Sequence, residues 1–464
     1  MKKTVWINEI FDGLVPLGDV TIRGWVRSIR KKKSFSFMVL NDGSSQQNLQ
    51  IVLDADIDNY DMLCSQLTGA CVSISGDLVE SKGRSQSFEV IGKNGHVLGG
   101  ANEDYPLQKK ATSLEFLREN AHFRPRTNLF GAVFRIRNVL AFATHQFFQE
   151  KGFYYINTPI ITGIDAEGAG EMFSVSTLPM DKAPVKKNGE VDYSNDYFGK
   201  STSLTVSGQL EAETFAMGMG RVYTFGPTFR SENSNTARHL AEFWMIEPEV
   251  AFADLDDVAS LGAEYIQYLV KCALENCSQE LSFLENREEV DSDLIQRLKL
   301  VSGSNFSKIT YTKAIEILQA SNKTFDYSAD WGKELQTEHE RFLSEEYFCG
   351  PVIVTDYPKE CKAFYMKQND DGKTVRAMDI LLPGVGEIIG GSQREEDLGK
   401  LKSRMEEMGM DDRSLWWYLD LRKHGTAPHA GFGLGFERAI MYITGMKNIR
   451  DVIPFPRTPK NADF

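Results

Sequence analysis

The chain has 464 residues, 42% apolar and 25% charged, with ordinary Gly and Pro contents; this excludes a disordered, collagen-like or low-complexity polypeptide and allows about three domains. Its 65 acidic and 52 basic side chains leave a net charge of −13, so it is no general binder of polyanions, and any nucleic-acid contact must come from a local basic patch. No run approaches about 18 uncharged apolar residues and no apolar stretch follows Lys2 and Lys3, which predicts no membrane span and no signal peptide; six cysteines without a CxxC pair fit reduced thiols in a cytoplasmic protein.

The first hundred residues read as strands. Val20–Val26 and Phe35–Leu40 alternate, Asn41-Asp-Gly-Ser44 is turn chemistry, and Leu49–Leu53, Gly69–Val79 and Ser87–Ile91 follow. Five short strands with one helix over 58–67 predict a small OB-type barrel at 1–104. Between Thr21 and Leu40 lie six basic residues (Arg23, Arg27, Arg30, Lys31, Lys32 and Lys33) and no acidic one. That run is either a solvated hairpin tip or a track for a nucleic-acid backbone. Gly99-Gly-Ala-Asn102 and Tyr105-Pro106 mark a boundary, and 105–130 reads as a connecting segment. Gly131–Lys151 predicts an amphipathic helix, with Val133, Ile136, Leu140, Ala143 and Phe147 on one stripe; Gly152 stops it. The stretch 179–200 is polar and turn-rich, an inserted loop in a domain spanning 131–464. Asp254 caps a second helix, which opens a mainly helical insertion over about 254–345.

Three segments carry chemistry. Tyr223–Glu232 and Leu240–Val250 read as two antiparallel strands. Period 2 puts Phe243, Met245, Glu247 and Glu249 on one face, too polar for a dry core. That face is either an exposed hairpin or a pocket in which Phe243 stacks a purine while Arg230, Arg238 and His239 hold phosphates. Met378–Arg394 places Asp379 and Glu387 among apolar strand residues, either paired with surface lysines or suited to a divalent metal that also touches phosphates; Arg394 is a candidate clamp for a carboxylate or amide. Gly431-Phe-Gly-Leu-Gly-Phe-Glu-Arg438 runs into a helix whose first turn carries Arg438. A cation there opposes the helix dipole unless an anion sits nearby; the alternative is a glycine-rich turn that only packs the helix closely. No Ser-His-Asp or Cys-His pairing points to a covalent intermediate.

Together these segments resemble the three signature motifs of class II aminoacyl-tRNA synthetases. Gly131–Lys151 with Thr158-Pro159 resembles motif 1, the dimer element. Phe229-Arg-x-Glu232…Arg238-His239…Phe243 resembles motif 2, and Gly431-x-Gly-x-Gly-x-Glu-Arg438 resembles motif 3. An N-terminal OB domain with this core is the arrangement of subclass IIb. Glu167–Met172, Leu204–Leu210, Thr236–Phe243 and Ile449–Pro459 are very similar to its bacterial asparagine-specific branch. The resemblance covers essentially the whole chain. It implies an α+β protein: an OB-fold β-barrel followed by an antiparallel sheet flanked by helices, acting as a homodimer.

It also implies roles. Arg230 would hold the α-phosphate of ATP and Arg438 the γ-phosphate, making these two the catalytic pair. Phe243 would stack on adenine, with Glu232 near its amino group and Arg238 and His239 at the outer phosphates. Asp379 and Glu387 would ligate Mg²⁺. Glu167 and Gln209 would hold the α-ammonium group of the amino acid. Phe37, Gln50 and Arg27 would meet the anticodon of tRNA(Asn). For the side chain of L-asparagine, Glu247 offers an acceptor and Arg394 a donor. Aspartyl relatives carry a Lys three residues after the counterpart of Gln209, where this chain has Ala212. Without that cation, an aspartate carboxylate about 4 Å from Glu247 would be repelled by roughly 4 kcal/mol at an effective dielectric near 20.

Overall fold

The computed structural model describes residues 4–83, 86–107, 112–166, 172–234 and 236–464. Chain contacts divide it into two compact units, Met1–Phe134 and Arg135–Phe464.

The first unit holds β1 (Thr4–Val5), β2 (Gly18–Lys31), β3 (Phe35–Asn41), β4 (Leu49–Asp54), β5 (Cys71–Glu80) and β6 (Phe88–Gly99). They pair in the order β1-β2-β3-β4-β6-β5, and a further β2–β5 pairing closes the barrel. Alternate residues point inward, so Ile22, Met38, Leu40, Ile51, Val72 and Ile74 fill the interior. β2 runs further than the alternation predicts and takes in Arg27, Arg30 and Lys31, leaving Lys32 and Lys33 for the turn. The helix expected over 58–67 is one short turn, Tyr60–Cys64, entered from a left-handed Asn59 without a side-chain cap. The segment expected to connect the domains packs with this unit, because Leu107, Leu117 and Phe130 bury one another.

The second unit is built on β7 (Tyr154–Tyr155), β8 (Arg221–Phe229), β9 (Glu242–Ala251), β10 (Ser307–Thr310), β11 (Val352–Pro358), β12 (Thr374–Leu382), β13 (Gly386–Gln393) and β14 (His429–Gly435). The sheet order is β10-β11-β12-β13-β14-β9-β8-β7. Its inner pairings are antiparallel, and a parallel strand closes each edge. The helices that matter for the site are α1 (Asn128–Glu150), α2 (Gln209–Met219), α3 (Leu255–Asn276), α4 (Trp416–Lys423) and α5 (Phe436–Thr444). The predicted stripe of α1 is buried. The Asp254 side chain caps α3 in a capping box with Asp257. α3 covers the back of the sheet so tightly that a Cβ on Gly262 would stand 2.9 Å from the Ile380 side chain. After α3 come the helices Ser278–Glu285, Leu294–Gly303 and Tyr311–Ala320 and the edge strand β10 of the central sheet. Among the described residues no helix is long and apolar enough to cross a membrane.

Candidate active site

The register of the central strands explains the alternating glycines. Across β8, β9 and β14, Thr228 opposes Phe243, Thr224 opposes Glu247, Met245 opposes Gly435 and Glu249 opposes Gly431. On the next pairing Gly433 meets Gly390 and Gly431 meets Ser392. All of these share the front face. The intervening Ala430, Phe432 and Leu434 are buried at the back. Three glycines in alternation therefore strip one face of β14 of side chains and leave a floor of bare backbone. The space is used: a Cβ on Gly431 would lie 2.2 Å from a Glu249 carboxylate oxygen.

Above this floor opens a cleft of about 250 Å³ lined by Arg230, Glu232, Arg238, His239, Phe243, Glu387 and Arg438, with Met245, Gly433 and Gly435 beneath. Every residue assigned to ATP from sequence, and one assigned to metal, thus meets in one place. The Arg230 guanidinium stands 5.4 Å from the Phe243 ring centroid, a cation over an aromatic plane. Arg438, in the first turn of α5, donates to the Glu387 carbonyl at 3.2 Å. Burial and the neighbouring Arg438 charge pull the Arg238 pKa down, as expected where cations gather without enough anions. Next to Arg438, Glu437 is fully engaged. It accepts from Arg137 at 2.6 Å and from the Trp244 N–H at 2.8 Å, tying α1, β9 and α5 together.

At the inner end, Asp379 and Glu387 face the same point: a Cβ on Gly390 would lie 3.1 Å from Glu387 Oε1 and 3.5 Å from Asp379 Oδ1. Glu340, which the sequence did not single out, joins them by accepting the Glu387 N–H at 3.1 Å. Burial and the Glu387 charge push Glu340 up to about 7; burial and Asp379 raise Glu387. Both oxygens of Asp379 accept from Lys362, at 2.9 and 3.0 Å. Among the described residues no three His, Cys, Asp or Glu side chains are arranged as a metal cage. Crowded carboxylates that ionise reluctantly still fit a hard cation that completes its shell with phosphate oxygens.

Of the residues assigned to the amino acid, Glu247 lies further along the same sheet face, Arg394 follows β13 and Gln209 opens α2; none of the three lines this cleft, and Glu167 lies outside the described residues. Glu247 is buried. One of its oxygens accepts from the Ser207 hydroxyl, the other from the Gly208 N–H at 3.0 Å and Thr224 Oγ1 at 2.9 Å. It braces the turn that starts α2 and so positions Gln209. Arg394, also buried, grips Glu249 with two N–H groups and donates to Ser392 Oγ at 2.7 Å. Burial pushes Glu249 up to about 7 against the pull of Arg394. Ala212 turns away into a small apolar layer with Ala216 and Val222; the residue of α2 that faces inward one turn after Gln209 is Glu213.

Glu211, on the same helix, is raised to about 6 by burial, with Glu247 and Glu213 adding to the shift. A raised carboxyl favours folding below its unfolded value and loses that contribution as pH rises through the folded value. Glu211→Gln is therefore expected to melt with the parent at pH 4.5 and about 1–3 °C above it at pH 8. Equal melting curves at both pH values would contradict this.

In the first unit, Phe37 sits edge-on to Phe35 with centroids 5.1 Å apart, and the Lys32 ammonium lies over both rings. Gln50 donates to Glu89 at 3.0 Å. Arg30 opposes Phe37 in the β2–β3 register and shares its face. Arg27 is not brought to this face, and its guanidinium serves the Arg126 carbonyl and Asn41.

Comparison with known proteins agrees with this geometry. Residues 113–459 match the family of class II tRNA synthetases (D, K and N), and residues 20–98 match the OB-fold nucleic acid binding domain. The chain is 58% identical to the asparagine–tRNA ligase of Cytophaga hutchinsonii over 96% of each chain, and 54% identical to that of Alkaliphilus metalliredigens over 100% of each. Among solved structures it superposes on asparaginyl-tRNA synthetase from Pyrococcus horikoshii complexed with asparaginyl-adenylate, with a TM-score of 0.86 and 31% identity over 100% of both chains.

Proposed function

We infer that this chain, which belongs to the class II tRNA synthetases (D, K and N), activates L-asparagine with ATP to asparaginyl-adenylate and transfers it to the 3′ end of tRNA(Asn). The observation that carries the chemistry is the convergence of Arg230, Glu232, Arg238, His239, Phe243 and Arg438 on one cleft over a backbone floor.

Adenine stacks on Phe243, with Glu232 beside its amino group, and Arg230 and Arg438 grip the phosphates. The asparagine carboxylate then attacks the α-phosphorus in line and pyrophosphate leaves. Two arginines held in place before the reaction stabilise the charge that builds up on the phosphoryl oxygens, and positioning supplies much of the rest. Asp379 and Glu387 would hold Mg²⁺, with Glu340 bracing Glu387 through its N–H, and the cation would neutralise charge on the phosphates. In the second step the 3′-hydroxyl of the terminal ribose attacks the adenylate carbonyl and AMP departs, with no covalent enzyme intermediate. Gln209, with Glu167, takes the substrate ammonium and Arg394 donates to its side-chain amide, while Glu247, its oxygens taken by Ser207, Gly208 and Thr224, holds the turn that presents Gln209.

Two further readings follow from the surface. Phe142 on α1, Tyr154 on β7 and Phe215 on α2 are 71%, 54% and 46% exposed, an apolar set that supports burial against a second copy of the chain. Free thiols throughout support a cytoplasmic protein.

ATP–pyrophosphate exchange measured side by side tests the assignment: asparagine supports it, and aspartate at the same concentration does so at least about 100-fold more slowly. Equal rates would overturn it. The OB face is tested separately. Phe37→Ala leaves exchange unchanged and raises the KM for tRNA(Asn) about 10- to 100-fold, the loss of one stacked base; unchanged aminoacylation would remove Phe37 from the anticodon site.

A further inference from the structure

Behind the amino-acid end lies a buried polar cluster that none of the three signature segments contains as a unit. Its centre is Glu213, fully buried in α2. One carboxylate oxygen accepts from the Tyr418 hydroxyl at 2.7 Å and from Arg422 at 2.9 Å, and lies 2.9 Å from His429 Nε2. The other accepts from the Gln209 amide at 3.0 Å and stands 3.9 Å from Arg394 Nε. Burial alone would push the Glu213 carboxyl up, but Arg422 and His429 hold it well below the usual range. It is a firm negative charge.

We propose that Glu213 is a specificity-positioning residue: it orients Gln209 and, together with Glu249, cancels the charge of Arg394, so that the pocket shows the substrate side chain a hydrogen-bond donor without a net positive field. The inference rests on the reading of Gln209 and Arg394 as amino-acid contacts. Its physical basis is the charge count. Glu213 and Glu249 both stand against Arg394, and Arg422 and His429 stand against Glu213, so the positive charge of Arg394 is taken up inside the cluster. An amide carbonyl needs only a donor, and it binds this balanced set well. A carboxylate needs an uncompensated cation to offset its desolvation, and it finds none. Arg422 comes from α4, outside the strands that form the floor, and joins this helix to the cluster through Glu213 and the Glu395 carbonyl.

Exchange kinetics on the full-length enzyme test this. Glu213→Gln keeps the shape and the hydrogen bond to Gln209 but removes the charge, leaving one positive charge in excess. The expected result is a KM for asparagine raised about 10-fold, a KM for ATP within about 2-fold of the parent, and an asparagine-over-aspartate ratio of kcat/KM lowered at least about 10-fold. Arg422→Gln removes a charge of the opposite sign, so the ratio should rise. This arm stands even where Glu213→Gln fails to fold. A purely structural role would lower activity in both variants without moving the ratio in opposite senses, and that outcome overturns the proposal. So does a Glu213→Gln enzyme with an unchanged ratio. If the parent itself does not activate asparagine, the functional assignment fails first, and separately.

Discussion

Arg438→Ala is expected to slow ATP–pyrophosphate exchange about 10²- to 10³-fold, the usual cost of removing one pre-positioned group from a developing oxyanion. The same change should leave the melting temperature within about 2 °C. The two halves of the expectation come from one observation. Arg438 is partly exposed, makes a single hydrogen bond to the Glu387 carbonyl and lies 3.7 Å from the Glu387 carboxylate. A pair this open to solvent contributes little to stability. Moreover, a cation in the first turn of α5 opposes the helix dipole until an anion arrives. Exchange kinetics with a thermal melt on the same preparation check it; a large drop in melting temperature would recast Arg438 as structural.

Arg394→Leu should be costly in a different way. It strips Glu249 of the cation that grips it with two N–H groups in a buried site. Removing one partner from a buried pair typically costs about 3–5 kcal/mol, because the carboxylate left behind is either buried unpaired or has to take up a proton. Asparagine-dependent exchange should fall below detection. The double variant Arg394→Leu/Glu249→Leu separates the two effects: stability returns for the most part, since two apolar side chains replace two charges, and activity does not. Denaturant melts of the three proteins measure this. A single variant as stable as the parent would show that water reaches Glu249.

Much of this site could be read from the chain because its signals are local. Period 2 on β9 places Phe243, Met245, Glu247 and Glu249 on one face, and the glycines of β14 fall into register with them. The capped start of α3 and the stripe of α1 are likewise written in consecutive residues. What escaped was assembled across distance. Glu340 reaches Glu387 from a helix 47 residues away. Lys362 reaches Asp379 across 17 positions. Arg422 and His429 reach Glu213 across more than 200. Nothing in the neighbourhood of those residues announces a partner. Glu213 had one usable sign, since it lies four residues after Gln209 on a helix and therefore on the same side. Glu247 shows the opposite case. Its face was legible, but the bonds that occupy both its oxygens depend on the Ser207–Gly208 turn, which only the fold brings near.

The bare floor of β14 has a pharmacological corollary. A compound resting on Gly433 and Gly435 touches peptide groups, whose chemistry no point mutation can alter. Escape by adding bulk there would exclude the nucleotide as well, so drug resistance must arise on the walls, at lining positions such as Ile388, and a scaffold that draws its affinity from the floor leaves it the fewest routes.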